Sequence, residues 1–144
     1  MSTDAVLNDH DLEFLGRPLF GFISTAAGPE PPQPRPVWFE ATIDRTIQLF
    51  TAPDSLKARR LHRDPRASIL VATPVGERER WISIAGRTTI EPLGPDEARD
   101  LCSRLAARYW QIDEQARSEA VAVLLAVDQV RVVIHPETVH RFTN

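Results

Sequence analysis

"TAPDSLKARRLHRDPRASILVAT", Thr51 to Thr73, runs from the end of one strand through a short charged helix into a second strand. Asp54 and Ser55 are both suited to cap the helix, Leu56 and Leu61 give it a narrow apolar stripe, and Asp64-Pro65 stops it. Lys57 then falls in the first turn, beside backbone N–H groups that have no acceptor within the helix. Of the 17 basic residues 16 are arginine, so Lys57 is the only lysine in the chain. A helix start with free N–H groups, the Ser55 hydroxyl and the charges of Lys57 and Arg59 suits a phosphate. Each charge-assisted hydrogen bond there is worth about 1.5–3 kcal/mol. The competing reading is a solvated face on which Lys57, Arg59, Arg60 and Arg63 pair with nearby acids, and spacing alone does not separate the two.

Upstream, "VWFEATI" and "TIQLFT" read as two strands joined by a turn at Asp44-Arg45, a weaker hairpin signal than Asp-Gly. Before them, Asn8 or Asp9 caps a short helix carrying Leu12, Phe14 and Leu15, and "LFGFIST", Leu19 to Thr25, has the aromatic and β-branched content of a strand. The loop "AAGPEPPQPRP" carries five prolines between Pro29 and Pro36, a stiff composition unable to join a sheet ladder. Downstream come the strand "ASILVAT", a charged loop, and the long strand "WISIAGRTTIE", whose Gly86 marks a bulge or a close backbone approach. Gly94-Pro95 opens a helix through "DEARDLCSRLAARYW", a second helix spans roughly 114–126, and "QVRVVI" and "TVHRFT" close the chain. Hairpin-like connections and few helices predict a mainly antiparallel, six-stranded barrel with helical decoration, in one domain over 1–144.

Composition limits the function classes. The chain has 144 residues, net charge −3 and a pI near 5.8, so no general basic field invites nucleic acid, and the arginines of 59–66 have no interleaved aromatics. Cys102 is the only cysteine, which excludes an internal disulfide and a thiolate metal cage. No stretch approaches the ~20 apolar residues of a membrane helix, and the N-terminus lacks the pattern of a signal peptide, so a cytoplasmic protein is expected. His62, His135 and His140 show no metal-ligand spacing, and no P-loop, nucleophile elbow or dinucleotide fingerprint occurs.

The order "PVWF", "IQLFT", "SLKAR", "RDPRASILV" and "WISIAGRTTI" resembles the split-barrel flavin-binding superfamily typified by pyridoxamine 5'-phosphate oxidase. The similarity is greatest to the actinobacterial branch that uses the deazaflavin coenzyme F420, and it extends from about Leu12 to Phe142. The resemblance implies a split barrel that forms a homodimer with cofactor sites at the interface. It places the cofactor phosphate at Ser55, Lys57 and Arg59, with Thr51 and Ala52 on the approach to it. The backbone of Pro36, Val37 and Trp38 would run beside the ring, and Trp81 and Ile82 would reach the partner's site. With Phe39, Trp38 and Trp81 would line an aromatic pocket.

The Arg-x-x-x-Leu-Lys-type strand of the oxidases proper is absent, since "RPVWFEATI" has no lysine, and this favours F420 over FMN. The implied activity is an oxidoreductase in which reduced F420 passes a hydride to an unsaturated small organic substrate, with no catalytic side chain required. An FMN-dependent enzyme of the same fold, and a non-catalytic flavin, deazaflavin or haem binder, remain as the alternatives.

Overall fold

The computed structural model describes residues 2–26 and 28–144; Ala27, within the proline-rich loop, lies outside them. The elements in chain order are β1 (Ser2–Asp4), α1 (Asp9–Leu15), β2 (Gly21–Thr25), β3 (Arg35–Val37), β4 (Glu40–Ala41), β5 (Ile47–Thr51), α2 (Leu56–Arg63), β6 (Arg66–Ala72), β7 (Arg80–Pro92), α3 (Pro95–Tyr109), α4 (Glu114–Leu125) and β8 (Val130–Thr143). All pairings are antiparallel, in the order β3-β2-β6-β7-β8-β5-β4, with β1 added beside the C-terminal half of β8.

The sheet is open as a hydrogen-bonded ladder, since its edge strands β3 and β4 do not pair with each other. Yet those two edges are consecutive in sequence, separated only by Trp38 and Phe39. Three Cα steps from Val37 to Glu40 span at most about 11 Å, so the sheet must curl until its edges nearly meet. Phe39, fully buried, sits at this seam and fills the interior with Ile23, Leu49, Ile69, Ile84 and Ile134. Each such side chain contributes about 1.5–3 kcal/mol by leaving water.

The expectation of six strands is corrected to eight among the described residues. Ser2–Asp4 carries no apolar alternation, and its strand exists only through its pairing with β8. Arg35–Val37 pairs with β2 despite Pro36, because β3 is an edge strand whose outward side needs no N–H donor. The stretch read as one strand, "VWFEATI", divides at the seam into β3 and β4, and the two closing strands form one, β8. Continuity through Pro136 is bought by a bulge: Ala85 faces Thr138 and Gly86 faces Pro136, leaving Glu137 as the extra residue. A Cβ on Gly86 would lie 1.8 Å from the His135 carbonyl oxygen, so only glycine fits there.

The weak hairpin signal has its own support. Arg45 takes a left-handed conformation (φ 63°), and its guanidinium is held by the Leu7 carbonyl at 2.9 Å and Asp9 at 2.7 Å. α1 is fixed at both ends. Asn8 and Asp11 form a reciprocal capping box, while Arg108 of α3 donates to the carbonyls of Leu15, Gly16 and Arg17 at its C-terminus. Asp11, only 2% exposed, accepts two 2.7 Å bonds from Arg141 and so ties α1 to β8. Burial would push the Asp11 carboxyl up, but the bonds from Arg141 and the Asn8 N–H, with the charges of Arg141 and Arg80, hold it below the usual range. Among the described residues no helix is long and apolar enough to cross a membrane.

Candidate functional site

The N-terminus of α2 is built by local hydrogen bonding. Ser55 is the cap, its hydroxyl accepting from the Ala58 N–H at 3.1 Å and from the Thr51 hydroxyl at 2.9 Å. The Arg59 N–H reaches the Ser55 carbonyl, which leaves the N–H groups of Leu56 and Lys57 without an intrahelical acceptor. Asp64 ends the helix and binds Arg66 at 2.6 Å, an exposed pair that holds the Asp64 carboxyl down to about 2.

Lys57 is half-buried, and among the described residues no carboxylate pairs with it. Burial pushes its ammonium below the usual lysine range, with no anion to offset the desolvation. Two cavities meet at this side chain. One, of about 300 Å³, is walled by Pro36, Val37, Trp38, Phe50, Trp110 and Leu124, and among the described residues Lys57 is its one charged lining residue. The other, of about 250 Å³, has Thr25, Arg35, Thr51, Ser55 and Arg60 along with Lys57, and among the described residues no carboxylate.

The aromatic wall is rigid. Trp38 stacks on Tyr109 with centroids 5.5 Å apart and meets Trp110 edge-on at 4.6 Å. Tyr109 in turn donates to the Leu19 carbonyl at 2.8 Å and accepts from the Phe39 N–H at 3.3 Å, pinning the seam residues. α4 closes the far side, resting on α3 through Val121, Cys102 and Ala106. Cys102 is fully buried and burial pushes its thiol up, so it packs as a small apolar residue.

Of the residues expected from sequence, the fold brings Pro36, Val37, Trp38, Thr51, Ser55 and Lys57 to these adjoining cavities. Ala52 lines neither. Arg59 is exposed and lines neither, whereas Arg60, one turn from Lys57 on the same helix face, lines the cationic cavity. Ile82 is 2% exposed within the core, because the alternation of β7 turns it inward, so its side chain packs instead of reaching outwards. Trp81 points to the other face and stacks on Phe142 at 5.8 Å, and Phe39 is interior, so neither lines the aromatic cavity. Reading by sequence also missed Phe50, Trp110, Leu124 and Arg35. Phe50 adjoins Thr51 in a legible strand, but Trp110 and Leu124 arrive from helices distant in sequence and gave no local signal.

The model of one protein family, pyridoxamine 5'-phosphate oxidase, matches residues 7–134. A search of curated proteins found no match. Among solved structures, the conserved hypothetical protein Rv2991 from Mycobacterium tuberculosis is similar at 24% identity, with a TM-score of 0.72 over 97% of this chain and 87% of that one. A protein named F420 reductase is similar at 21% identity and TM-score 0.70, covering 93% of this chain and 98% of its own. General Stress Protein 26 from Bacillus anthracis matches at 19% identity and TM-score 0.59, over 92% and 94% of the two chains.

Proposed function

This chain belongs to the pyridoxamine 5'-phosphate oxidase family, and from that premise we propose that it is an oxidoreductase that works with a flavin-type coenzyme, reduced F420 before FMN. The observation that carries the reading is Lys57, a half-buried cation with no carboxylate partner among the described residues, standing where an aromatic cavity and a cationic cavity adjoin. A ligand with a planar ring and a phosphate matches that pair of environments. The residues fit the group: Lys57, Arg60, Arg35, the Ser55 hydroxyl and the free N–H groups of α2 would hold the phosphate, and Trp38, Trp110 and Phe50 would flank the ring. The likeness to a named F420 reductase supports the deazaflavin over FMN.

When bound, the coenzyme supplies the hydride for an unsaturated small organic substrate. The chain's own residues orient and shield. Trp38, held by Tyr109, gives a fixed flat wall, and the apolar lining of Pro36, Val37 and Leu124 excludes water from the ring side. Lys57 regains in the complex the counter-charge that the empty fold denies it.

We also assign a homodimer to this reading. Phe22 and Leu70, paired across β2 and β6, are 41% exposed each, and Phe20, whose ring stacks on Tyr109, is 52% exposed. Light scattering tests the dimer.

The test of function is an anaerobic titration with F420 and with FMN, on wild type and on Lys57→Ala. Tight F420 binding that weakens about ten- to a hundredfold in the variant supports the site. Binding of FMN alone removes the deazaflavin, and binding of neither removes the cofactor reading. Turnover of a reduction coupled to bound coenzyme separates an enzyme from a binder.

A further inference from the structure

Lys57 carries the only side-chain primary amine of the protein, and the fold sets it at the junction of two unlike cavities. On one side stand the half-buried rings of Trp38, Phe50 and Trp110, in a space of about 300 Å³. Apolar cavities of about 150 Å³ already admit benzene, so one substituted ring fits there. On the other side stand Arg35 and Arg60, neither of which pairs with a carboxylate among the described residues. The Arg35 guanidinium donates to neutral acceptors, the Gln33 amide oxygen at 3.0 Å and the Pro34 carbonyl at 3.4 Å. The Ser55 hydroxyl accepts from Thr51 and from the Ala58 N–H, which leaves its own hydrogen to donate.

A carboxylate partner holds a lysine charged and unreactive. Lys57 has none among the described residues, and burial moves it towards the free amine, whose lone pair is a nucleophile. An amine with a slot for a flat ring on one side and cationic groups on the other selects a particular kind of carbonyl compound. We propose that the coenzyme-free protein captures aromatic aldehydes at Lys57 as a reversible imine, taking those that carry an anionic group beside the carbonyl. The Nζ lone pair adds to the carbonyl carbon, the carbinolamine loses water, and a C=N bond replaces the C=O bond without any oxidant or reductant. The ring then rests among Trp38, Trp110 and Phe50, while the anionic group faces Arg60, Arg35 and the Ser55 hydroxyl. Because Lys57 lies between the cavities, an ortho arrangement of carbonyl and anion satisfies both. A para arrangement leaves the charge among the aromatic rings, where nothing offsets its desolvation. Capture needs the two cavities and no coenzyme, so its failure and the failure of F420 or FMN binding are separate results.

The probes are ortho-formylbenzenesulfonate and its para isomer, each incubated with the coenzyme-free chain and fixed by cyanoborohydride, which reduces the imine to a stable secondary amine. Peptide mass spectrometry reads the rate at Lys57 apart from that at the α-amino group, and Nα-acetyllysine supplies the rate of an ordinary lysine. Lys57 is expected to react with the ortho isomer at least about tenfold faster than Nα-acetyllysine does, and with the para isomer at most about twofold faster. Arg60→Gln should cut the ortho advantage about threefold or more while melting like wild type. Lys57→Arg, which keeps the charge and loses the nucleophile, should leave labelling at the α-amino group alone. A rate at Lys57 no greater than that of Nα-acetyllysine overturns the proposal. Equal acceleration of the two isomers does the same, and neither result depends on a variant folding. A folded Arg60→Gln protein with its ortho preference undiminished also overturns it.

Discussion

Tyr109 lies flat against Trp38, with ring planes 7° from parallel, and its hydroxyl sits between the Leu19 carbonyl and the Phe39 N–H. One side chain from α3 thus holds both the aromatic wall of the site and the linker that joins the two edges of the sheet. Tyr109→Phe keeps the stack and loses the hydroxyl, which should cost about 1–3 kcal/mol in urea denaturation. Tyr109→Leu should cost about 0.5–1.5 kcal/mol more, the value of the ring pair.

Lys57 should show a trade between stability and binding. Because burial lowers its pKa in the fold, the unfolded chain holds the proton to higher pH, so stability rises as pH climbs towards the ordinary lysine value of 10.5. Lys57→Met should remove that rise and leave the ligand-free protein at least as stable as wild type at pH 7, while weakening phosphate ligands. Melting curves between pH 7 and 10, with and without ligand, read both effects.

The buried pair of Asp11 and Arg141 governs the acid limb. Asp11 is held below its ordinary 3.8, so its stabilisation is complete above that value and is lost as pH falls through the lower, folded one. Asp11→Asn should lower stability at pH 7 by up to about 3 kcal/mol and flatten the loss below about pH 4. Unfolding monitored from pH 7 to 2 tests the sign.

Gly86→Ala should fail to reach the native bulge. The added methyl would meet the His135 carbonyl at 1.8 Å and its carbon at 2.8 Å, both backbone atoms that cannot turn aside. A loss of about 3 kcal/mol or more is expected, seen as a lower denaturation midpoint or no soluble protein.

How much of this was legible depended on whether the signal was local. Ser55 as cap, the stop at Asp64-Pro65 and the special role of Gly86 rest on neighbouring residues, and each stands in the structure. Arg60 was legible as well. A helix turns about 100° per residue, so the residue three after Lys57 shares its face and the residue two after does not. The motif names Arg59, whereas the helix brings Arg60 to the cavity that Lys57 lines. Trp81 and Ile82, neighbours on β7, stand on opposite faces of the sheet by the same kind of geometry at period two. Trp110, Leu124 and the strand Ser2–Asp4 were out of reach, because what defines them is contact with chain far away in sequence.

The passage of the chain from one sheet edge to the other across Trp38 and Phe39 bears on how the molecule assembles. β6, β7 and the C-terminal part of β8 can zip outward from one another, but Ile47 must find Ile134 and Leu49 must find Val132 before the curl can shut. Pairings so distant are slow to form, because the entropy of closing the loop is spent before any contact rewards it. A molecule lodged against Trp38 can engage only the shut form and acts as a clasp, stabilising it by RT ln(1 + [L]/Kd). A ligand bound in the aromatic cavity would therefore add to the stability of the native state as well as to any chemistry done there.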